Sequence, residues 1–243
     1  MKGDLHVHTL FSDGKNTPEE MVLSAIEKGF DYLGFSDHAP MDFDDGCAMK
    51  AEKLPEYAAE ILRLKEKYKD QITLYLGLEM DSLSFEPGIP LDYRIGSVHY
   101  LEMEDGHHVS IDWTAEKLKA GADNYFGGDI YALIEAYYEK VSTIVQDTGA
   151  DIIGHFDLIT KFQEQTPLFD ETHPRYRTAW KKAVDAILPH CKLFEINTGA
   201  VSRGYRTTSY PAPDIRQYIL EKGGRLIQNS DSHRRETLGF CTD

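Results

Sequence analysis

Met1-Lys2-Gly3-Asp4-Leu5-His6-Val7-His8-Thr9 opens the chain. In an extended segment successive side chains point to opposite faces, so Asp4, His6 and His8 share one side while Leu5 and Val7 share the other. Two imidazoles one residue apart on a rigid strand can hold a single metal ion. A lone H-x-H is common and by itself carries no meaning. Here, however, short apolar runs ending in ligand-type side chains recur along the whole chain.

After this strand, Leu10 to Gly14 reads as a loop. Thr17-Pro18-Glu19-Glu20 then has the pattern of a helix start, with Thr17 as N-cap, Pro18 in the first turn and Glu20 completing a capping box. Met21, Val22, Ala25 and Ile26 supply the buried stripe and Gly29 the stop. A strand over 31–36 leads into Asp37-His38. The acidic segment 41–51, with Asp42, Asp44 and Asp45, is expected to be a loop over the mouth where ligands gather. A helix over about 52–69 precedes the strand 72–78, which delivers Glu79. The strand 93–98 delivers His99.

Residues 100–129 are polar and turn-rich, with at most a short helix over 114–120. The spacing of Leu133, Ile134, Tyr137, Tyr138, Val141, Ile144 and Val145 predicts one helix from Ile130 to Gly149. Strands over 151–154, 192–196 and 226–229 deliver His155, then Glu195 and Asn197, then Asp231 and His233. Helices over 176–188 and 213–222 separate them.

Seven short strands separated mostly by helices imply parallel pairing with right-handed crossovers. Ligand-type residues arise from every strand rather than from two neighbours at a switch point, which favours a closed TIM-like barrel over an open sheet. The expectation is an α/β fold, a distorted barrel of seven β/α units forming a single domain over 1–243, with its chemistry at the C-terminal strand ends. Ten residues follow His233. The barrel is therefore expected to lack a C-terminal helix, or to close unusually.

Composition bounds the function. The 243 residues can bury one substantial core, and 41% apolar residues is ordinary for a soluble protein. The formal net charge of −15 disfavours nucleic acid as a partner, since a phosphate backbone rewards Lys and Arg. It leaves room for a small phosphorylated substrate, because bound cations reverse the local field. Cys47, Cys191 and Cys241 form no C-x-x-C, which argues against a disulfide scaffold or thiolate site and suits a reducing compartment. No apolar run approaches membrane-spanning length, and the first residues do not form a signal peptide. A cytoplasmic enzyme without membrane partners is expected; the oligomeric state is not legible.

Six of the ten histidines (His6, His8, His38, His99, His155 and His233) fall at or just past an expected strand end. His107, His108, His173 and His190 fall in loops or near a helix end and read as surface residues. Six imidazoles together with Asp37, Glu79 and Asp231 at one mouth need a counter-charge, which points to metal.

Asp4-Leu5-His6-Val7-His8, Ser36-Asp37-His38, Gly77-Leu78-Glu79-Met80-Asp81, Ser97-Val98-His99, Gly154-His155-Phe156-Asp157, Glu195-Ile196-Asn197 and Ser230-Asp231-Ser232-His233 together resemble the polymerase-and-histidinol-phosphatase (PHP) family of metallohydrolases, in the family's order. The resemblance implies a distorted (β/α)7 barrel with a trinuclear centre. Carried over by motif, His6, His8, Glu79 and Asp231 would hold one ion. Glu79, His99 and His155 would hold a second, with Glu79 bridging, and Asp13, His38 and His233 a third. Without the family, Asp13-Gly14 reads as an ordinary turn. Glu195 and Asn197 are expected behind the ligands or at the mouth, Asp37 and Asp157 to orient neighbouring imidazoles, and Asp81 to do likewise or to be a solvated acid.

Imidazole and carboxylate ligation without thiolate suits two or three divalent ions of Zn, Fe or Mn. No side chain is then needed as nucleophile, because a hydroxide shared by two ions can attack phosphorus in line. Arg203, Arg206 and Lys161 are the expected phosphate-binding cations. The resemblance is strongest to the histidinol-phosphatase branch, implying a phosphomonoesterase of histidine biosynthesis acting on L-histidinol phosphate. Two features depart from that branch: Thr160-Lys161 stands where an arginine is usual, and the Phe11 to Gly14 loop lacks a Cys-Pro-His form. The competing expectations are a phosphoesterase for another small ester or a nucleic-acid end, and a non-catalytic metal-binding module.

Overall fold

In the computed structural model, which describes residues 1–43 and 46–241, seven parallel strands stand in chain order around a nearly closed barrel. They are β1 (Gly3–Asp4), β2 (Tyr32–Phe35), β3 (Thr73–Asp81), β4 (Tyr93–Ser97), β7 (Ile152–Ile153), β8 (Leu193–Asn197) and β9 (Arg225–Asn229). Between β4 and β7 lies an antiparallel hairpin, β5 (Tyr100–Glu102) with β6 (His108–Ser110). The helices are α1 (Pro18–Glu27), α2 (Leu54–Tyr68), α3 (Ala115–Tyr125), α4 (Ile130–Ser142), α5 (Ile144–Thr148), α6 (Pro174–Ile187), α7 (Gly199–Ser202) and α8 (Pro213–Glu221). The capping box of Thr17 and Glu20 is present at the start of α1.

The helices close the barrel from outside. One apolar layer joins α1 and α2 to β2 and β3 through Met21, Leu33, Ile61 and Leu76; another joins α4, α6 and α8 to β7 and β8 through Tyr138, Trp180, Phe194 and Ile219. A third, small cluster of Tyr93, Ile95 and Ile152 packs with Leu5, Leu193 and Ile227. There the Tyr93 hydroxyl reaches the carbonyl oxygens of Leu5 and Phe35 at 2.5 and 2.9 Å. Gly34 and Gly77 make room for it: a Cβ on either would lie 2.5 or 2.4 Å from the Tyr93 side chain.

Three expectations are corrected. The first strand is only two residues long, because Leu5 N–H donates to the Asn229 side chain (3.0 Å) and His6 N–H to Asp4 Oδ1 (3.1 Å) instead of to a ladder. The barrel seam is instead stitched by a Val7–Ser232 bridge and by Ser230 N–H donating to Asp4 (3.1 Å). The polar stretch after His99 holds a hairpin and a helix that runs past 120 to Tyr125. The helix expected to reach Gly149 breaks at Thr143, whose hydroxyl is drawn to the Lys140 carbonyl and the Asp147 carboxylate (3.0 and 2.8 Å). After β9 no helix follows among the described residues; Leu238 is buried, and Lys28 Nζ ties down the carbonyls of Arg235, Glu236 and Leu238 at 2.9–3.3 Å.

Candidate metal centre

Every strand ends at one mouth, where chemistry is built in barrels of this kind. His6 and His8 follow β1, His38 follows β2, Glu79 and Asp81 close β3, and His99 follows β4. His155 follows β7, Glu195 and Asn197 belong to β8, and Asp231 and His233 follow β9. Asp13 enters from the first loop, which Asp37 shapes. Its carboxylate accepts from Thr9 N–H and hydroxyl (2.8 and 2.9 Å) and from Ser12 N–H and hydroxyl (3.1 and 2.6 Å).

The nine expected ligands meet around Glu79. Its Oε2 lies 3.3 Å from His6 Nε2, 3.6 Å from His8 Nε2 and 3.0 Å from His38 Nδ1. Asp231 Oδ1 faces the same two nitrogens, at 3.8 Å from His6 and 3.3 Å from His8. Glu79 Oε1 turns the other way, 2.9 Å from His155 Nε2 and 3.5 Å from His99 Nε2, and accepts from the Ser97 hydroxyl at 2.7 Å. Asp13 lies 3.1 Å from His233 Nε2, 3.8 Å from His38 Nε2 and 3.9 Å from His8 Nδ1. Three groups of ligand atoms are close enough to share an ion: His6, His8 and Asp231; His38, Glu79 and His99; and His8, Asp13, His38 and His233. His155 joins through Glu79 rather than as a member of these groups.

Five atoms in this space, His6 Nε2, both ring nitrogens of His8, Asp13 Oδ1 and Glu79 Oε2, are buried without a hydrogen-bond partner among the described residues. Leaving so many polar atoms unpaired in the interior is costly. Cations in the space they enclose would satisfy all five, so the donor set fits divalent metal.

Behind the ligands, Glu195 is fully buried. Its two oxygens accept from His6 Nδ1 (2.8 Å), His155 N–H (2.6 Å), Asn197 Nδ2 (2.8 Å) and Asn229 Nδ2 (3.0 Å). With Nδ1–H given to Glu195, the His6 lone pair on Nε2 faces the centre. Glu195 and Asn197 thus lie beneath the site and not at its mouth. Asp81 accepts from both His99 N–H (2.6 Å) and its ring Nδ1 (3.2 Å), the orienting alternative of the two expected for it. Among the described residues neither Asp37 nor Asp157 bonds to an imidazole; Asp37 holds Thr9 and Ser12, and Asp157 accepts from Ala212 N–H at 2.9 Å. Asp231 itself sits at a positive φ of 50°, a strained setting that Asp tolerates better than most residues, with its carbonyl held by Arg203 at 2.9 Å.

The charges are arranged like acid–base partners awaiting a cation. Burial disfavours a charged His38 ring, yet the Glu79 carboxylate outweighs this and holds its pKa up at about 10. His99 is held at about 9 against burial, by Glu79 and the Asp81 hydrogen bond. His8 goes the other way. Burial, reinforced by the neighbouring His233 and His38, pushes it down to about 3. Glu79 and Asp231 overcome their own burial and stay well below the ordinary carboxylate range, Glu79 through the surrounding imidazoles and Asp231 through Arg203 first.

The mouth opens into a cavity of about 260 Å³ whose lining includes Asp13, His38, Glu79, His99, His155, Arg203, Asp231 and His233. The three expected cations behave differently. Arg203 lines the cavity and braces Asp231 Oδ2 at 3.0 Å. Lys161 lines it too, but its ammonium is bound to the Asp112 carbonyl and carboxylate (2.8 and 2.9 Å). Arg206 is buried away from it, bonded to the Thr160 and Thr208 hydroxyls and stacked over Tyr210 at 4.9 Å. Of the acidic loop, Asp42 is exposed and does not line the cavity, while Asp44 and Asp45 lie outside the described residues. Sequence reasoning missed Ser97, Asp112 and the aromatic wall of Tyr100, Trp113 and Tyr205. The Val109–Ile111 alternation was the one signal that the stretch around Asp112 is anchored.

Residues 4–199 match the PHP domain family. The histidinol-phosphatase of Lactococcus lactis is 36% identical over 248 residues, covering 96% of this chain and 84% of that protein. The histidinol-phosphatase of Bacillus subtilis is 29% identical, covering 99% and 96%. The crystal structure of histidinol phosphate phosphatase from Lactococcus lactis, complexed with Zn, L-histidinol and phosphate, superposes with a TM-score of 0.73 at 23% identity, over 96% of this chain and 87% of that one. With ordered strand-end ligands on a seven-stranded parallel barrel and this match across most of its length, the chain belongs to the PHP domain family.

Proposed function

We propose that the chain is a metal-dependent phosphomonoesterase that hydrolyses L-histidinol phosphate to L-histidinol and phosphate. The observation that carries this reading is the set of five unpaired buried nitrogen and oxygen atoms facing one space at the C-terminal mouth of the barrel. The names of the curated relatives, and the zinc, L-histidinol and phosphate in the solved relative, support the substrate and the metal.

His6, His8, Glu79 and Asp231 would hold one ion, Glu79, His99 and His155 a second, and Asp13, His38 and His233 a third, drawn from Zn, Fe or Mn. When bound, such ions polarise phosphoryl oxygens and make water a competent nucleophile near neutral pH. The protein's own residues prepare for this. Glu195 fixes the His6 tautomer, Asp81 fixes the His99 ring, and Ser97 holds Glu79 so that its two oxygens serve opposite sides. Arg203, bonded to Asp231 at the rim, presents the fixed guanidinium that a phosphate needs. Arg206 is too deeply occupied for that task, and Lys161 is held by Asp112. Overall, water adds to phosphorus, the ester P–O bond breaks, and the alcohol leaves with a proton.

The test is release of inorganic phosphate from L-histidinol phosphate with added Mn or Zn, beside a phosphodiester control and a chelated sample. Turnover of the monoester that is lost on chelation supports the proposal. Diester cleavage in its place would move the chain to the nuclease reading, and no hydrolysis of either would leave the non-catalytic module.

A further inference from the structure

On the outer wall of the cavity stand Tyr100, Asp112, Trp113, Lys161 and Tyr205. Ile111 N–H donates to the His99 carbonyl at 2.9 Å, so the residue after it, Asp112, is set beside a ligand strand rather than on a free loop. Lys161 takes Asp112 Oδ2 and the Asp112 carbonyl, and its ammonium lies 5.0 Å from the centre of the Tyr205 ring. The other carboxylate oxygen, Oδ1, has no hydrogen-bond partner among the described residues, on a side chain that keeps 25% of its surface exposed.

A carboxylate in this position repels a phosphate. Its field reaches His99 and His155 and also Arg203, the group best placed to receive the phosphate. Such a charge helps a phosphomonoesterase only if the rest of the ligand is cationic. An ammonium two carbons from the ester oxygen would lie within reach of a carboxylate on the cavity wall while the phosphate occupies the centre. Aromatic neighbours such as Tyr100 and Trp113 add attraction for a desolvated cation. Lys161 neutralises part of Asp112 when no ligand is present and leaves Oδ1 open.

Resting on the phosphomonoesterase reading, we propose that Asp112 is the specificity-determining residue that receives the amine of a β-amino phosphate ester. The pairing also gives Lys161 a function other than phosphate binding: it tempers the charge of Asp112.

The experiment compares two esters on the metal-loaded enzyme, L-histidinol phosphate and 3-(imidazol-4-yl)propyl phosphate, which lacks only the amine and, with it, the stereocentre. Wild type is expected to prefer the amine-bearing ester. Asp112→Asn should raise KM for that ester about tenfold or more, the scale of a lost charged hydrogen bond, and leave kcat/KM for the amine-free ester unchanged or raised. Lys161→Met should keep or widen the preference, whereas a phosphate-binding lysine would lower kcat/KM on both esters alike. Equal losses on the two esters in Asp112→Asn, no loss on either, or no preference in wild type would overturn the proposal. Should Asp112→Asn not fold, Lys161→Met carries the test, and a preference lost in it overturns the proposal. No phosphate release from either ester by wild type would instead overturn the phosphomonoesterase reading, and this inference with it.

Discussion

Glu195→Gln changes the shape of the site floor hardly at all, yet it should loosen two ligands at once. Each Glu195 oxygen accepts from two donors, Oε2 from His6 Nδ1 and Asn229 Nδ2, Oε1 from His155 N–H and Asn197 Nδ2. An amide turns one of those oxygens into an NH2, so whichever way it is set, two buried donors face a donor. Two charge-assisted bonds at about 1.5 kcal/mol each give a loss of about 3 kcal/mol, the low end for buried charged partners. For a chain of this size that lowers Tm by roughly 6–12 °C. The effect on metal has a separate origin. Without the carboxylate, the His6 ring is no longer obliged to carry its proton on Nδ1, and Nε2 loses its preparation as a ligand. Removing a partner of this kind typically lowers metal affinity by about 10–100-fold. Chelator competition with Zn and Mn, beside thermal melts of the metal-free protein, reads the two effects independently. Affinity and Tm both unchanged would refute the reasoning. A lowered Tm with affinity unchanged would leave Glu195 as a brace for β7, β8 and β9 with no hold on the ligands.

Neither His8 ring nitrogen bonds to the described residues, so His8→Ala should abolish turnover and lower bound metal with little change in circular dichroism; unchanged turnover would count heavily against the site. Arg203→Ala should mainly raise KM for phosphate esters, by about 10–100-fold if one charged contact is lost, and a pure kcat effect in steady-state assays would point to its brace on Asp231 instead. The metal-free protein should lose stability as pH rises. His38 and His99 titrate near 10 and 9 when folded against about 6.5 unfolded, so their contribution is complete below about pH 6.5 and is lost as pH climbs through 9 and 10. Melts at pH 6.5, 8 and 9.5 should show Tm falling without metal and falling less with Zn present; a flat metal-free profile would contradict the assignment.

The ligands were legible because each sits where a short apolar run stops. Leu74, Leu76 and Leu78 are buried in β3, and Glu79 follows them at the end the barrel leaves open. That pattern is local, so periodicity finds it. The length of β1 was not legible because what ends it is an Asn229 side chain more than two hundred residues away. The hairpin of β5 and β6 has three residues per strand, too few for alternation to declare itself, and Asp112 is hidden behind it. Thr143 breaks the helix with a hydroxyl, a competition for backbone partners that a hydrophobic pattern does not register.

Charge type proved less informative than charge surroundings. Arg203 and Arg206 stand three residues apart in one loop, yet the turn after α7 sends one to the cavity and the other into the protein. Arg206 meets the hydroxyl of Thr160, at the position where the family resemblance would place an arginine. A guanidinium therefore does stand next to that position, supplied by the loop after β8 and held beside Tyr210 and Glu164. What differs is its availability. An arginine rooted at 160 would bring its own reach, whereas Arg206 is fixed by neighbours on several sides, and the guanidinium that lines the cavity is Arg203, braced on Asp231. Lys161 and Arg203 both line the cavity and both hold a carboxylate, but Arg203 braces Asp231 among the expected ligands, whereas Lys161 holds Asp112, which keeps an oxygen open. A basic residue near a phosphate site gains or loses its role according to the acid it faces, and only the folded chain specifies that acid.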